Sequence, residues 1–405
     1  MRNSVRFLLG SAALGAGLVA TAPATAAAQN TRYVFSIGDH PDVVGVRINF
    51  RDSNLGRVDG MNITLWSPYE PFTGRVRGVA FGLPVTGAED IEGLATGVFG
   101  AGAGRNITGL GIAPVGIGAG NRIKGIGVAG VGLGAGGDVQ GIMIGGIGIG
   151  AGGDLRGLMA GGIGAGAGGD AKGILLGGVG AGVGGELRGL AAGTIGVGAG
   201  GNVRGILLGG VGAGAGGDFR GMGAGGVGMG IGGDMRGMAY GGVGVGVGGN
   251  ARGILVGGVG AGVGGDFHGI GIGGVGLGVG GDMTGILIGG VGVGVGGRAH
   301  GLIIGGLGAG ASEVDGVAIG SIGVGGQRVH GFTATAGVLR IERDGRFDGF
   351  SVNATGSMIK GHQRGVVIGL VNYARTVSGL QIGLINIIDE ARSHRVLPFF
   401  NWQDQ

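Results

Sequence analysis

The chain has 405 residues, of which 119 are glycine, 7 are proline and none is cysteine. Collagen is excluded because it needs glycine at every third residue, and a disordered linker is excluded because 43% of the residues are hydrophobic and only 13% are charged. The 28 Lys and Arg nearly balance the 24 Asp and Glu, and no basic cluster with interleaved aromatic residues is present, so nucleic acid is not an expected partner.

The chain begins with a stretch that is typical of a secretory signal peptide. Arg2 and Arg6 precede the apolar segment FLLGSAALGAGLVA, and ATAAAQ offers an A-x-A cleavage site near Ala28. The alternative is a membrane anchor, which the shortness of the apolar segment disfavours. We therefore expect residues 1–28 to be removed and the mature protein to be exported.

The segment that follows the predicted signal peptide has no regular repeat. Residues 29–56 are predicted to form an N-terminal cap, and a continuous β-repeat array is predicted over residues 57–388. The segment NITLWSPYEPF, near the start of this array, contains Trp66, Tyr69 and Phe72. We expect these aromatic side chains to close the exposed end of a core, and the alternative is a contact with a partner or a membrane.

The regular core of the array, residues 136–311, repeats every 16 residues in eleven consecutive blocks. The consensus is G-G-D-φ-R-G-φ-x-φ-G-G-V-G-φ-G-φ, where φ is apolar. Helix is excluded because each glycine in a helix costs about 1 kcal/mol relative to alanine. Alternation of glycine with Val and Ile favours strands, and the GGD and GGN triplets are typical of turns.

Two β arrangements fit this period. In a solenoid, each block forms one coil of two short strands, near residues 236–240 and 243–247 of one block, with a bend at 241–242. In a meander, each block forms one long strand, and many strands close into a barrel. We predict an all-β fold, a glycine-rich β-solenoid of 16-residue coils with two short strands each, with the antiparallel β-meander or barrel, one strand per repeat, as the alternative. The solenoid is favoured because a membrane barrel should have aromatic girdles and a polar lumen, and aromatic residues make up only 5% of the chain.

The acidic third position of the repeat is the one candidate for a metal site. Calcium needs six to eight oxygen ligands, whereas the repeat supplies one acid per coil, so a structural role as a turn cap is favoured over cation binding. The candidate cation row consists of Asp138, Asp154, Asp170, Asp218 and Asp234. The recurring G-x-G-x-x-G pattern lacks the strand–helix context of a dinucleotide site, and no catalytic residues, cofactor or firm metal site are predicted.

The C-terminal segment resembles the leptospira-type surface repeat proteins, whose repeats have the form G-φ-Q-φ-G-L-φ-N. Residues 379–386 match this form fully, and residues 365–372 match it except that Val367 replaces Gln. Residues 396–401, VLPFFN, look like the closing segment of that family. The close match covers about 40 residues, and the glycine-rich body keeps only G-φ-x-φ-G. The resemblance implies an exported, envelope-associated repeat protein and implies no catalytic residues.

Residues 389–405 are predicted to form a C-terminal cap. This segment contains Phe399, Phe400 and Trp402, which we expect to close the core, with contact to a partner or a membrane as the alternative. Together these features predict a non-enzymatic exported protein that is a structural or interaction element of the bacterial cell envelope or surface, with an outer-membrane β-barrel protein as the alternative. The expected location is the periplasm, the outer membrane or the cell surface. The expected partner is an unidentified envelope or surface component, with outer-membrane association and self-association through sheet edges as further candidates.

Overall fold

A computed structural model describes residues 33–391 and 394–403. The predicted signal peptide, residues 1–28, lies outside these described residues. Within them, all regular secondary structure is β, in 35 strands, and no helix is present. The predicted all-β class is confirmed.

The strands fall into three groups along the chain. The first group is β1 (Tyr33–Ile37), β2 (Asp42–Asn49), β3 (Arg57–Thr64), β4 (Arg75–Gly82), β5 (Val85–Gly97), β6 (Gly100–Ala113), β7 (Gly116–Ala119), β8 (Arg122–Ala129) and β9 (Gly132–Ala135). The regular array alternates long and short strands: β10 (Val139–Gly145), β11 (Gly148–Ala151), β12 (Leu155–Gly161), β13 (Gly164–Ala167), β14 (Ala171–Gly177), β15 (Gly180–Val183), β16 (Leu187–Gly193), β17 (Gly196–Ala199), β18 (Val203–Gly209), β19 (Gly212–Ala215), β20 (Phe219–Gly225), β21 (Gly228–Ile231), β22 (Met235–Gly241), β23 (Gly244–Val247), β24 (Ala251–Gly257), β25 (Gly260–Val263), β26 (Phe267–Gly273), β27 (Gly276–Val279) and β28 (Met283–Gly289). The last group is β29 (Gly292–Gly305), β30 (Gly308–Gly320), β31 (Gly323–Thr335), β32 (Val338–Asn353), β33 (Gly356–Ile368), β34 (Val371–Ile388) and β35 (Val396–Gln403).

Each coil of the regular array contains one long and one short strand, which stack in parallel on the equivalent strands of the next coil. β22 pairs with β24 so that Met235 lies opposite Ala251, and β23 pairs with β25 so that Val245 lies opposite Ala261. In both ladders, each residue therefore lies opposite the residue that is one repeat, 16 positions, further along the chain. The chain is a parallel β-solenoid of about 21 coils, which confirms the predicted architecture.

The alternative fold, an antiparallel β-meander or barrel with one strand per repeat, is wrong. Among the described residues, β34 and β35 form the only antiparallel pair. The block does not remain straight because the chain bends between its two strands. In the coil that starts at Gly232 this bend lies at residues 242–243, one residue later than predicted, and the strands are Met235–Gly241 and Gly244–Val247.

The core is a thin layer between the long strands and the short strands. We number the positions of the repeat 1 to 16 from the first glycine of each block and call the same position in successive coils a column. Positions 4, 8, 14 and 16 point inward, and in one coil these are Met235, Ala239, Val245 and Val247, all buried. Stacking places an apolar residue beside an apolar residue along these columns, so one continuous apolar core runs along the solenoid.

Position 6 holds a glycine that the backbone requires. Gly237 lies inside the long strand β22 with φ +128°, a conformation that L-residues rarely adopt. A Cβ at this residue would collide with the carbonyl oxygen of Gly221 in the preceding coil. The same positive φ recurs at this position in every coil of the regular array. This glycine serves the close stacking of neighbouring coils and not a turn.

Candidate functional site on the outer faces of the solenoid

The outer side of the long strands is a continuous apolar surface, which we call the aliphatic face. It consists of the columns at positions 7 and 9, whose side chains alternate with the buried residue at position 8 and therefore point to solvent. In the coil of β22 these residues are Met238 and Tyr240, and both are exposed. Position 7 is occupied in successive coils by Ile142, Leu158, Ile174, Leu190, Ile206, Met222, Met238, Ile254, Ile270, Ile286 and Leu302.

Two further columns border the aliphatic face. Position 12, at the bend, holds an exposed Val, Ile or Leu in each coil of the regular array, as at Val243. On the other side, position 5 holds exposed polar residues, among them Arg188, Arg204 and Arg236. The solenoid is therefore amphipathic around its circumference, with charged side chains along one border of an apolar surface.

The outer side of the short strands is made of glycine at positions 13 and 15. A Cβ at Gly246 would meet no atom within 4 Å, so no contact within the chain requires glycine there. At the N-terminal end of the same surface, a Cβ at Gly87 would lie 2.8 Å from Cε1 of Phe72, and one at Gly102 would lie 3.2 Å from Cε2. The Phe72 ring therefore packs against these two glycines.

The aspartates of the candidate cation row form a hydrogen-bonded ladder between coils. Oδ1 of Asp138 accepts a hydrogen bond from the backbone N–H of Asp154 at 3.0 Å, and Oδ1 of Asp154 accepts one from Asp170 at 2.9 Å. Asp170, Asp218 and Asp234 accept in the same way from the next coil, at 2.8, 3.0 and 2.8 Å. One carboxylate oxygen of each residue thus satisfies a backbone donor at the turn.

The ladder also affects the titration of its first member, Asp138. The backbone N–H of Asp154 lowers the pKa of Asp138 by stabilising the carboxylate, and Arg122, 3.1 Å away, acts in the same direction. Asn202 and Asn250 occupy the same column and accept the same backbone hydrogen bond, from Asp218 at 2.7 Å and from Asp266 at 2.8 Å. An amide oxygen therefore replaces a carboxylate in this role.

The aromatic residues near the N-terminal end have different environments. Trp66 and Tyr69 are exposed, and the guanidinium of Arg51 lies 3.5 Å from the centre of the Tyr69 ring. Phe72 is half-buried on the glycine surface. These three side chains belong to the loop between β3 and β4, so Phe72 covers the side of the array and not its end.

The aromatic residues near the C-terminus lie on β35, which pairs across the last coil. Phe399, Phe400 and Trp402 are all exposed, and Phe399 has a φ of 66°. Phe399 borders a hollow of about 400 Å³ whose other walls include Ile382 and Leu384. The N-terminal and C-terminal aromatic candidates lie at opposite ends of the array and do not form one site.

Two polar clusters near the N-terminal end were missing from the sequence-based candidates. Arg47 is fully buried, donates to Oδ1 of Asn62 at 2.8 Å and forms an ion pair with Asp52. Asp90 is buried and contacts Arg105, which lowers the pKa of Asp90 to about 2. The only indication of these two clusters in the sequence is that charged residues occur at positions that do not follow the regular repeat.

No protein-family model, no curated protein and no solved structure matches this chain. In the part of the chain that the structure describes, no helix is long and apolar enough to cross a membrane. The same part contains no group of three or more His, Asp or Glu side chains placed to hold a metal ion. The aliphatic face, which extends along the regular array, is the candidate interaction surface of the described residues.

Proposed function

We propose that this protein is a non-enzymatic, exported repeat protein that acts as a structural or interaction element of the bacterial cell envelope or surface. The observation that carries this proposal is the aliphatic face, which stays apolar through consecutive coils and whose side chains at positions 7 and 9 are exposed or half-buried. Monomeric soluble proteins rarely expose contiguous apolar patches larger than a few hundred Å², and larger patches mark interaction surfaces. A solenoid repeats such a surface over its whole length.

The sequence supports the envelope as the location. Arg2 and Arg6, the apolar stretch that follows and the A-x-A site near Ala28 favour export, and the lack of cysteine fits an exported protein without disulfides. The resemblance of residues 365–401 to the leptospira-type surface repeat proteins supports the same assignment. A structural role is also supported by the polar columns, because the ladder aspartates are engaged with backbone donors.

Cell fractionation tests the proposal. The full chain is expressed in a diderm bacterium, and mass spectrometry of the mature N-terminus is expected to show cleavage near Ala28. We expect the mature chain in the envelope fraction. A variant with Met238→Ser, Tyr240→Ser and Ile254→Ser on the aliphatic face is expected to move to the soluble fraction.

The matched control places serine on the opposite surface, with Gly246→Ser, Gly262→Ser and Gly278→Ser, where a Cβ meets no atom within 4 Å. This control is expected to fractionate like the parent. An uncleaved chain in the cytoplasm would overturn export, and a face variant that stays in the envelope at the parent level would overturn the role of the aliphatic face.

A further inference from the structure

The position 9 column of the aliphatic face alternates between large and small side chains over seven consecutive coils. Ile144, Leu176, Leu208 and Tyr240 are 45, 37, 44 and 49% exposed. The intervening alanines are half-buried. The full order is Ile144, Ala160, Leu176, Ala192, Leu208, Ala224 and Tyr240. The surface therefore carries a row of ridges, with a notch at each alanine between them.

The spacing of these ridges is set by the fold. Equivalent residues of neighbouring coils are in register, as Leu176 is with Ala192 and Ala192 with Leu208. Adjacent parallel strands lie about 4.8 Å apart, so ridges recur at about 9.6 Å along the solenoid axis. A fluid lipid surface has no such period. A second copy of this chain has the same period and the same notches.

We propose that the aliphatic face binds the same face of a second copy in an antiparallel arrangement. A two-fold axis that passes between the coils of Ala192 and Leu208 places Ala192 opposite Leu208 of the second copy. The same axis places Leu176 opposite Ala224 and Ala160 opposite Tyr240. A large side chain then meets an alanine at each of these positions, which is the interdigitation that gives paired sheets a dry interface.

The area of the face is sufficient for a stable dimer. A standard interface takes about 800 Å² per partner, and the apolar side chains at positions 7 and 9 continue over all seven coils of the alternating row and beyond it. The backbone groups beneath these columns are already paired between coils, as between β16 and β18. Association therefore buries apolar side chains without leaving backbone donors or acceptors unpaired.

The charges at the border of the face fit the same axis. In the antiparallel arrangement Arg188 of one copy comes nearest to Arg204 of the other. Glu186 is the one glutamate at position 3 of the regular array, and it contacts both arginines, with Oε2 at 2.9 Å from Arg188 and Oε1 at 3.7 Å from Arg204. Within each copy, one carboxylate thus partly offsets the two like charges at the centre of the proposed interface.

This inference rests on the proposed role as an interaction element, but it does not depend on export or location. The purified chain is studied by sedimentation velocity and light scattering over a range of concentrations. We expect a reversible dimer that persists in about 0.5 M salt, where attachment driven by exposed charges is screened. Ala192→Leu fills a notch and Leu208→Ala removes a ridge, and each is expected to raise the dimer Kd about tenfold or more.

The double variant Ala192→Leu/Leu208→Ala exchanges ridge and notch and is expected to return the Kd to within about threefold of the parent. Gly198→Leu adds the same side chain to the glycine surface, where a Cβ meets no atom within 4 Å, and is expected to leave the Kd unchanged. Circular dichroism checks that each variant keeps its β content.

Three outcomes would overturn the inference: a monomer at every concentration, a dimer whose Kd does not respond to Ala192→Leu, or co-sedimentation with vesicles of neutral phosphatidylcholine in place of self-association. A monomer that still fractionates with the envelope through its aliphatic face would leave the proposed function intact and identify a different partner. A dimer found in the cytoplasm would support self-association through the aliphatic face and would overturn export.

Discussion

The side chain of Met229 occupies the volume that a side chain at Gly223 would fill. Gly223 lies on β20 and Met229 on β21 of the same coil, and a Cβ at Gly223 would collide with Cε of Met229. One coil earlier the sizes are reversed, because the corresponding residues are Leu207 and Ala213. In these two coils a large side chain at one of positions 8 and 14 faces a small residue at the other, so the two residues compensate in volume across the core.

Exchanging the small residue Gly223 and the large residue Met229 in size tests this compensation. We expect Met229→Ala to destabilise the coil by about 2–5 kcal/mol by leaving a cavity, and Gly223→Leu to destabilise it by overpacking by about 1–3 kcal/mol. The double variant reproduces the pair found at Leu207 and Ala213. It is expected to recover much of the loss, with a coupling energy of about 0.5–3 kcal/mol.

Hydrogen exchange of the β20 and β21 amides is the measurement, because each coil contacts only its neighbours and the loss is local. Additive single effects would contradict volume matching between Gly223 and Met229.

The period, the β class and the two-strand coil could be predicted from the sequence because glycine and Val or Ile alternate and paired glycines mark a bend. The bend lies at residues 242–243, one residue later than the sequence predicts. Gly241 and Gly242 are chemically identical, and the ladder with the next coil, where Gly241 pairs with Gly257, decides which of them ends the strand.

The side of the long strand that faces the core could not be predicted from the sequence. Positions 7, 8 and 9 of the long strand are all apolar, so alternation alone does not say which of Met238, Ala239 and Tyr240 is buried. The short strand decides this by folding against the side that carries Ala239. The sequence favours a turn-capping role for the aspartates. It does not indicate that the backbone N–H bound by each aspartate belongs to the next coil, 16 residues further along the chain, as the N–H of Asn250 does for Asp234.

Two glycine positions in one coil should respond in opposite ways to the same substitution. Gly237→Ala places a Cβ at positive φ against the carbonyl oxygen of Gly221, and we expect a loss of at least about 1–3 kcal/mol. Gly246→Ala enters open space on an extended strand and is expected to stabilise by about 0.5–1 kcal/mol. Thermal unfolding of both variants measures the difference. Equal effects would show that stacking of the coils does not determine glycine at position 6.

The aspartate column should behave as a backbone acceptor and not as a cation site. Asp234→Asn keeps the oxygen that accepts from the N–H of Asn250, as Asn202 does naturally for Asp218, and is expected to change stability by less than about 0.5 kcal/mol. Asp234→Ala removes the acceptor and is expected to cost about 1 kcal/mol.

Thermal unfolding with and without millimolar calcium completes this test. We expect calcium to leave the midpoints of the parent and of Asp234→Asn unchanged. A rise with calcium that is present in the parent and lost in Asp234→Asn would instead identify a cation site in this column.

Asp90 should make the N-terminal coils sensitive to acid. Arg105 lowers its pKa from 3.8 to about 2, with further hydrogen bonds from Asn106 at 2.8 Å and from Arg75 at 3.3 Å. Because the folded pKa lies below the unfolded value, this stabilisation is present above about pH 4 and is lost as the pH falls from there through about 2. The difference in pKa corresponds to about 2 kcal/mol.

The matched variant is Asp90→Asn, which removes the titrating group and keeps the side-chain size. Hydrogen exchange of β5 and β6 between about pH 2 and pH 5 is expected to show acid-dependent opening in the parent and a smaller dependence in the variant. Above pH 4 the variant should open more readily than the parent, and the difference should shrink as the pH falls through about 2, where half of the Asp90 carboxyls are protonated in the folded protein. Parallel pH profiles for the two proteins would mean that the ion pair of Asp90 with Arg105 does not stabilise these coils.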